Sequence, residues 1–287
     1  MSLEISDFLI STSELHSQLG SPDLRIYDCT TLLEPIEPSG LRSRSAFSFW
    51  ESSHIPGSAY IDLQEDLSIH DHQYRFMCLP LEQLVTEFEN LGIDDQTSVV
   101  LYDQRSNMWA ARIWWMLRAV GFSNAKILDG GWTKWTVEQR EVSTAVKSYP
   151  KGQITFVPQP SLFVEKEALI NQSVGCIIDA LGPEQYSGAN GGKTYGRAGH
   201  IPQSVNIPAN HLVNPDTQEY LSLGELNSII EPIIPDKSTE IVTYCGGGIA
   251  ASNDAFVLTM LGYRNVSVYD ASLSEWATDE TLPLETS

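Results

Sequence analysis

The residue best suited to chemistry in this sequence is Cys245, which lies between a β-branched apolar run, 241–244, and three consecutive glycines. Glycines let the backbone curl so that successive N–H groups point inward and bind an anion. A helix that begins near Ala251 would add partial positive charge at its N-terminus. These features predict a thiol pKa lowered from about 8.5 into the range of roughly 3.5–7.5, and hence a nucleophilic thiolate whose loop also stabilises a persulfide anion. The predicted catalytic residue is Cys245, and the predicted substrate-binding loop is Gly246, Gly247, Gly248, Ile249 and Ala250.

Several motifs occur twice at a nearly constant separation. The matching pairs are HIPGSAYIDL (54–63) with HIPQSVNIP (200–208), SVVLYD (98–103) with EIVTYC (240–245), and NAKILDGGWTKW (124–135) with NVSVYDASLSEW (265–276). The separations are 146 (54 to 200), 142 (103 to 245) and 141 (135 to 276) residues. This repetition predicts a duplicated domain. In the first copy Asp103 stands at the position of Cys245, so the thiol belongs to the second copy alone.

The elements around these motifs predict an α/β fold. Short β-branched runs at 176–179, 204–207, 241–244 and 266–269 are typical of parallel strands covered on both faces. Small and apolar residues then recur at helical spacing from Ala251 to Leu261, and Gly262 supplies the left-handed position that ends the helix. We therefore expect two tandem domains, each an open, mainly parallel sheet flanked by helices.

A proline-containing stretch separates the two copies. Pro150, Pro158 and Pro160 disfavour helix at the residues before them and predict an extended linker. The expected division is a noncatalytic domain over 1–142, a linker over 143–160 and a catalytic domain over 161–287.

Composition excludes several classes of protein. The 287 residues carry 17 Lys and Arg against 37 Asp and Glu, a formal charge of −20, which argues against nucleic acid and anionic membrane surfaces as partners. Four cysteines without a CxxC pair predict neither a disulfide framework nor a metal site, and they suit a reducing, cytoplasmic location. No apolar run reaches the length of a membrane helix. We expect a cytoplasmic protein, a monomer, with no cofactor and no metal.

The motifs together resemble the tandem-domain rhodaneses, the thiosulfate and 3-mercaptopyruvate sulfurtransferase family. The resemblance rests on HIPGSAYIDL, WWMLRAVG followed by LDGGWTKW, GRAGHIPQSVNIP, and the strand–Cys–Gly-Gly-Gly loop. It implies a noncatalytic N-terminal domain, with Asp103 in place of the cysteine, and a persulfide intermediate on Cys245. A small anionic sulfur donor would load the thiolate, and cyanide or a thiol would accept the sulfur. The alternative is a noncatalytic persulfide carrier or sensor. A phosphatase of related fold is excluded, because Ala251 stands where its loop requires arginine.

The sequence also bears on which sulfur donor is preferred and on which residues bind it. The uncharged loop is closer to the mercaptopyruvate type than to the thiosulfate type, although Gly247 stands where that type has a serine. Arg197 and Lys193, in the glycine-rich segment before the second HIP motif, are the predicted substrate-binding cations. Whether His70, Asp71, His72 or Arg75 reaches the cleft stays open. The histidines of the two HIP motifs, His54 and His200, are expected to fix turns by side-chain hydrogen bonds.

Overall fold

The computed structural model describes residues 4–36, 40–171, 174–189 and 192–287, without the side chain of Lys193. The first half contains a five-stranded parallel sheet in the order β1-β7-β6-β2-β5, and an antiparallel ribbon, β3–β4, inserted after β2. Its strands are β1 (Leu9–Ile10), β2 (Leu24–Asp28), β3 (Thr31–Pro35), β4 (Leu41–Ser45), β5 (Ser58–Tyr60), β6 (Ser98–Tyr102) and β7 (Ala125–Leu128). Its helices are α1 (Thr12–Gln18), α2 (Phe47–Ser52), α3 (Leu63–Asp66), α4 (Leu81–Asn90), α5 (Met108–Ala119) and α6 (Gly131–Val137).

The second half repeats this sheet in the order β8-β12-β11-β9-β10, again with every strand pair parallel. Its strands are β8 (Phe163–Val164), β9 (Cys176–Asp179), β10 (Val205–Asn206), β11 (Glu240–Tyr244) and β12 (Asn265–Tyr269). Its α-helices are α7 (Lys166–Ile170), α8 (Pro183–Tyr186), α9 (Leu223–Ile230), α10 (Ile249–Met260) and α11 (Ser272–Trp276). The shared strand order confirms the predicted pair of α/β domains.

The central strands explain where the chemistry can occur. β6 and β11 are the third strands of their sheets and are buried after their first residue, as their β-branched and aromatic sequences predict. Asp103 directly follows β6, and Cys245 directly follows β11. Both residues therefore lie at the carboxyl edge of a parallel sheet, which is where open α/β sheets bind ligands.

The two halves share one hydrophobic core. α5 and α10, which follow the two central strands, pack against each other, and nearly all their residues are buried. The rings of Trp114 on α5 and Phe256 on α10 meet edge to face with centroids 4.9 Å apart. Because these helices are buried on all sides, the relative position of the halves is fixed by packing rather than by the connecting segment.

Residues 144–159 join the halves, and this fully described segment contains neither helix nor strand. The division of the chain at 143–160 stays a prediction. Among the described residues, no helix is long and apolar enough to cross a membrane.

Candidate active site

The loop after β11 turns tightly at its last glycine. Gly248 precedes α10 with φ +79°, in the left-handed region that favours glycine. A Cβ atom at Gly248 would lie 2.8 Å from Oδ1 of Asp270 and 3.0 Å from Nη1 of Arg112, so a side chain there would have to displace both. The loop is therefore packed from behind by a buried ion pair, in which Arg112 Nη2 lies 2.6 Å from Asp270 Oδ1.

The start of α11 orients the peptide groups of this loop. The carbonyl oxygen of Gly246 accepts hydrogen bonds from the backbone N–H of Ser274 (3.0 Å) and from its hydroxyl (2.6 Å). In a trans peptide the C=O and the following N–H point in opposite directions. The N–H of Gly247 consequently points away from α11 and towards the sulfur of Cys245, which it hydrogen-bonds.

Ser272 fixes the two ends of the same loop. Its buried hydroxyl oxygen accepts hydrogen bonds from the backbone N–H groups of Cys245 (3.0 Å) and Gly248 (3.3 Å) and donates to the carbonyl of Tyr269 (2.8 Å). Ser272 has φ +53°, and Gly131 in the first half has φ +51°. The second half has thus kept a left-handed turn at this point and placed a hydrogen-bonding side chain in it.

The amides meet at Cys245, but its thiol pKa does not fall. The N–H groups of Ala251, Gly247 and Ala250 bond the sulfur and act to lower the pKa. Burial acts in the opposite direction and more strongly, since Cys245 is only 2% exposed, so the pKa of the thiol is raised above its ordinary value. The predicted inward-pointing amides are confirmed, whereas the predicted low pKa is wrong, because the sequence pattern carries no measure of burial.

The first half shows the same kind of loop holding an anion. Oδ1 of Asp103 accepts hydrogen bonds from the backbone N–H groups of Arg105, Ser106 and Asn107 at 2.8–3.1 Å. Its Oδ2 accepts from those of Trp109 (3.0 Å) and Ala110 (3.2 Å). The last two are the second and third residues of α5, as Ala250 and Ala251 are of α10. The loop after the central strand is therefore an anion-binding arrangement in both halves.

Cys245 faces a cavity of about 400 Å³ between the two halves. The lining residues from the first half are Thr31, Leu32, Leu33, Arg75, Phe76, Arg105, Ser106, Met108 and Trp109. Those from the second half are Leu181, Tyr195, Cys245, Gly246, Gly247, Ile249, Ala250 and Ser274. This volume is within the range of small-molecule sites, about 300–1,000 Å³. The nucleophile thus comes from one half and much of the cavity wall from the other.

Tyr195 lies in the cavity wall, against Gly246 of the catalytic loop and close enough to Arg75 to interact with its charge. Its ring covers Gly246 so closely that a Cβ atom at that glycine would collide with it. The electrostatic neighbours that shift the pKa of the Tyr195 phenol include Cys245 and Arg75, while burial raises that pKa well above its ordinary value. The phenol therefore keeps its proton and can donate a hydrogen bond into the cavity.

The structure does not bring Arg197 to the cavity, contrary to expectation. Its Nε donates to the carbonyl of Ala277 (3.1 Å), and its Nη2 donates to the carbonyls of Trp276, Asp279 and Leu282 at 2.6–3.3 Å. The guanidinium is used to hold the C-terminal segment, and proximity in sequence to the HIP motif does not decide its direction. The side chain of Lys193, the other predicted cation, lies outside the described residues.

The polar segment 70–75 is divided by the fold. Arg75 lines the cavity, whereas His70, Asp71 and His72 are exposed and do not line it. Arg105 and Tyr195 are further lining residues that the sequence did not single out as functional. A signal for Arg105 existed, because it stands two residues after Asp103 in the duplicated loop.

The histidines of the repeated motifs have the structural role expected of them. His54 Nδ1 lies 2.7 Å from the carbonyl oxygen of Trp50, and His200 Nδ1 lies 2.8 Å from that of Tyr186. Each ring also stacks on an aromatic neighbour, Trp50 and Tyr186 respectively.

The two sheets agree with the fold of a known family. A family model described as Rhodanese-like domain matches residues 11–138 and 165–279, most of the chain. The chain belongs to the rhodanese-like family, with one such domain in each half. The structure of the 3-mercaptopyruvate sulfotransferase SseA from Escherichia coli shares this fold, with a TM-score of 0.79 at 24% identity over 92% of this chain and 98% of that one.

Relatives of this family cover nearly the whole chain. The sulfur carrier protein TtuD of Thermus thermophilus is 30% identical over 294 residues, covering 97% of this chain and 96% of that protein. A thiosulfate sulfurtransferase of Corynebacterium glutamicum is 31% identical over 291 residues, covering 97% and 90%. A 3-mercaptopyruvate sulfurtransferase of Escherichia coli is 26% identical over 282 residues, covering 97% and 98%. The chain is accordingly an enzyme of the sulfurtransferase class.

Proposed function

We propose that this enzyme moves a sulfane sulfur from a small anionic donor, thiosulfate or 3-mercaptopyruvate, to a thiophilic acceptor through a persulfide on Cys245. The observation that carries the proposal is the position of the Cys245 sulfur, which borders the cavity and receives three backbone N–H groups. The names of the relatives support both donors.

The reaction with thiosulfate has two displacement steps. The thiol first loses its proton, and the thiolate then attacks the outer sulfur of thiosulfate. The S–S bond of the donor breaks, and sulfite leaves with the electron pair. In the second step cyanide attacks the outer sulfur of the persulfide, a C–S bond forms, and the electron pair of the broken S–S bond returns to Cys245 as thiocyanate leaves. With 3-mercaptopyruvate the C–S bond breaks instead, and the enolate of pyruvate takes up a proton.

The loop favours these steps by stabilising charge where it develops. Fixed amide donors in a site that excludes water stabilise an anion without having to reorganise during the reaction. The carboxylate of Asp103 in the corresponding loop shows that this arrangement accepts a full negative charge. The persulfide anion on Cys245 is the species that would take that place in the second half.

Sulfur uptake is the direct test. After incubation with thiosulfate or 3-mercaptopyruvate, we expect the intact mass of the protein to rise by one sulfur atom and cyanide to return it to the original value. Cys245→Ala removes the gain, while Cys176→Ala, which removes another free cysteine outside the cavity, keeps it. A wild-type protein that gains no sulfur from either donor would refute the proposal.

A persulfide carrier is the second candidate, because the relative from Thermus thermophilus is named a sulfur carrier protein. A carrier and a catalyst both load Cys245, but they differ in turnover. We expect the enzyme to form many equivalents of thiocyanate per protein molecule when donor and cyanide are both in excess. A single equivalent, followed by no further product, would favour the carrier.

A further inference from the structure

We propose that the half without the cysteine supplies the donor-binding charges of the active site, through the guanidinium groups of Arg75 and Arg105. The inference deepens the proposed function, on which it rests for the identity of the donor. It also replaces the sequence-based expectation that Arg197 has this role.

Both arginines belong to the wall of the cavity that contains Cys245. The main chain of Arg75 approaches the catalytic loop, since its carbonyl oxygen lies 3.8 Å from the Cβ position of Gly247. Arg105 extends from the loop of Asp103, the counterpart of the catalytic loop in the first half. The noncatalytic loop therefore faces the catalytic one across the cavity and contributes a side chain to it.

Within the part of the chain that the structure describes, no carboxylate neutralises the charge of Arg75 or Arg105. No carboxylate within the described ranges forms an ion pair with either guanidinium, and none is part of the cavity wall described. Arg112 provides the contrast, because it is fully buried and paired with Asp270. In a chain of net charge −20, two arginines on the wall of the cavity of Cys245, without an ion-pair partner among the described residues, form a local site for an anion.

Arg75 is held in position and still has unused donors. Its Nη1 donates to the carbonyl of Leu41 on β4, and its Nε is buried without a hydrogen-bond partner. Burial lowers the pKa of this guanidinium, which shows that its charge is poorly solvated. A guanidinium has five N–H donors, and those of Arg75 that are not paired within the protein can donate to a sulfonate or carboxylate oxygen of the donor. Arg75 thus fits the inner part of the donor site.

Arg105 has different surroundings and a different expected effect. It is exposed at the cavity rim, so its charge is partly screened by solvent. A screened charge attracts an anion without fixed geometry, whereas Arg75 offers a planar fork in a fixed position. A lysine at position 105 should therefore still support donor binding, whereas a lysine at position 75 should not.

The test compares donor kinetics in matched variants. Arg75→Gln and Arg105→Gln should each raise the KM for thiosulfate, by roughly tenfold or more for Arg75, while kcat at saturating donor changes less. Arg105→Lys should restore the KM, and Arg75→Lys should not. Arg264→Gln is the control, because it removes an equal charge from an exposed site before β12, at the opposite edge of the sheet. KM values of both glutamine variants within twofold of this control would overturn the inference.

A binding measurement separates this inference from the proposed function. In Cys245→Ala protein no sulfur can be transferred, yet thiosulfate should still bind and change the fluorescence of Trp109, which lines the cavity. Adding Arg75→Gln to this background should weaken binding by a similar factor, whereas adding Arg264→Gln should not. Unchanged binding overturns the role of Arg75 even if wild-type Cys245 turns over. Weakened binding supports that role even if Cys245 proves unable to accept sulfur.

Discussion

At the scale of the residue, Cys245 is subject to two opposing influences. Three amides favour its anion, and burial favours its neutral thiol, which prevails in the resting enzyme. Asp179, at the end of the neighbouring strand β9, adds to the second influence, because its buried carboxyl, with a pKa of about 6, is ionised at neutral pH. The resting thiol is therefore mostly protonated at neutral pH.

The pH dependence of alkylation follows from this balance. Because burial favours the protonated thiol, the thiolate fraction of Cys245 is small at pH 7 and is still increasing at the ordinary thiol pKa of about 8.5. We expect the iodoacetamide reaction rate of Cys245, measured by mass spectrometry, to climb from pH 7 to pH 9 without levelling. The same measurement on Cys245→Ala subtracts the other three cysteines. A rate that is already constant below pH 7 would contradict the raised pKa.

At the scale of the element, α11 acts on the loop through its first turn. Ser274 holds the carbonyl of Gly246, and Ser272 holds the N–H groups of Cys245 and Gly248. Residues 270–273 are Asp-Ala-Ser-Leu, where the first half has Asp-Gly-Gly-Trp. The hydrogen bonds of Ser272 explain why a serine stands at the third position. The serine combines the backbone turn of Gly131 with a hydrogen-bond acceptor.

Two substitutions at Ser272 separate these roles. Ser272→Ala loses the three buried hydrogen bonds of the hydroxyl and keeps the strained φ, so we expect a loss of about 1–3 kcal/mol in the free energy of unfolding. Ser272→Gly loses the same bonds but adopts φ +53° without strain, so it should be the more stable of the two. Urea denaturation measures the order, and thiocyanate formation should be slowed in both. Alanine that equals glycine in stability would contradict the assigned strain.

The elements were also the most predictable part of the molecule. The duplicated motifs and the apolar runs predicted two α/β domains, and the structure confirms both sheets. Local sequence suffices there, because strand, glycine turn and helix start are set by neighbouring residues. The direction of Arg197 and the pKa of Cys245 could not be predicted, since each depends on segments far away in the chain.

At the scale of the whole molecule, the active site depends on how the two halves meet. Arg112 on α5 of the first half and Asp270 at the end of β12 of the second form a buried ion pair behind Gly248. Asp270 also accepts the N–H of Cys78, and Arg112 donates to the carbonyl of Phe76. The same ion pair therefore joins the two halves and supports the catalytic loop.

Breaking the Arg112–Asp270 ion pair should weaken both the contact between the halves and the support of the Cys245 loop. Arg112→Met leaves the carboxylate of Asp270 buried without its counter-charge, so we expect a loss of about 3–5 kcal/mol in the free energy of unfolding. Urea denaturation measures it. The double variant Arg112→Met with Asp270→Leu removes both charges and should recover part of the stability. A single variant that loses less than about 1 kcal/mol would show that the pair does not hold the halves together.

The loop of Asp103 has one more consequence. Its five amides always have their anion, because the carboxylate is part of the chain. The amides around Cys245 meet an uncharged thiol in the resting enzyme, and under the proposed function they would meet a full negative charge only in the persulfide anion. The sulfur-free enzyme is therefore the form in which these amide dipoles have no matching negative charge. The same backbone N–H groups, in the same positions, would stabilise the persulfide anion.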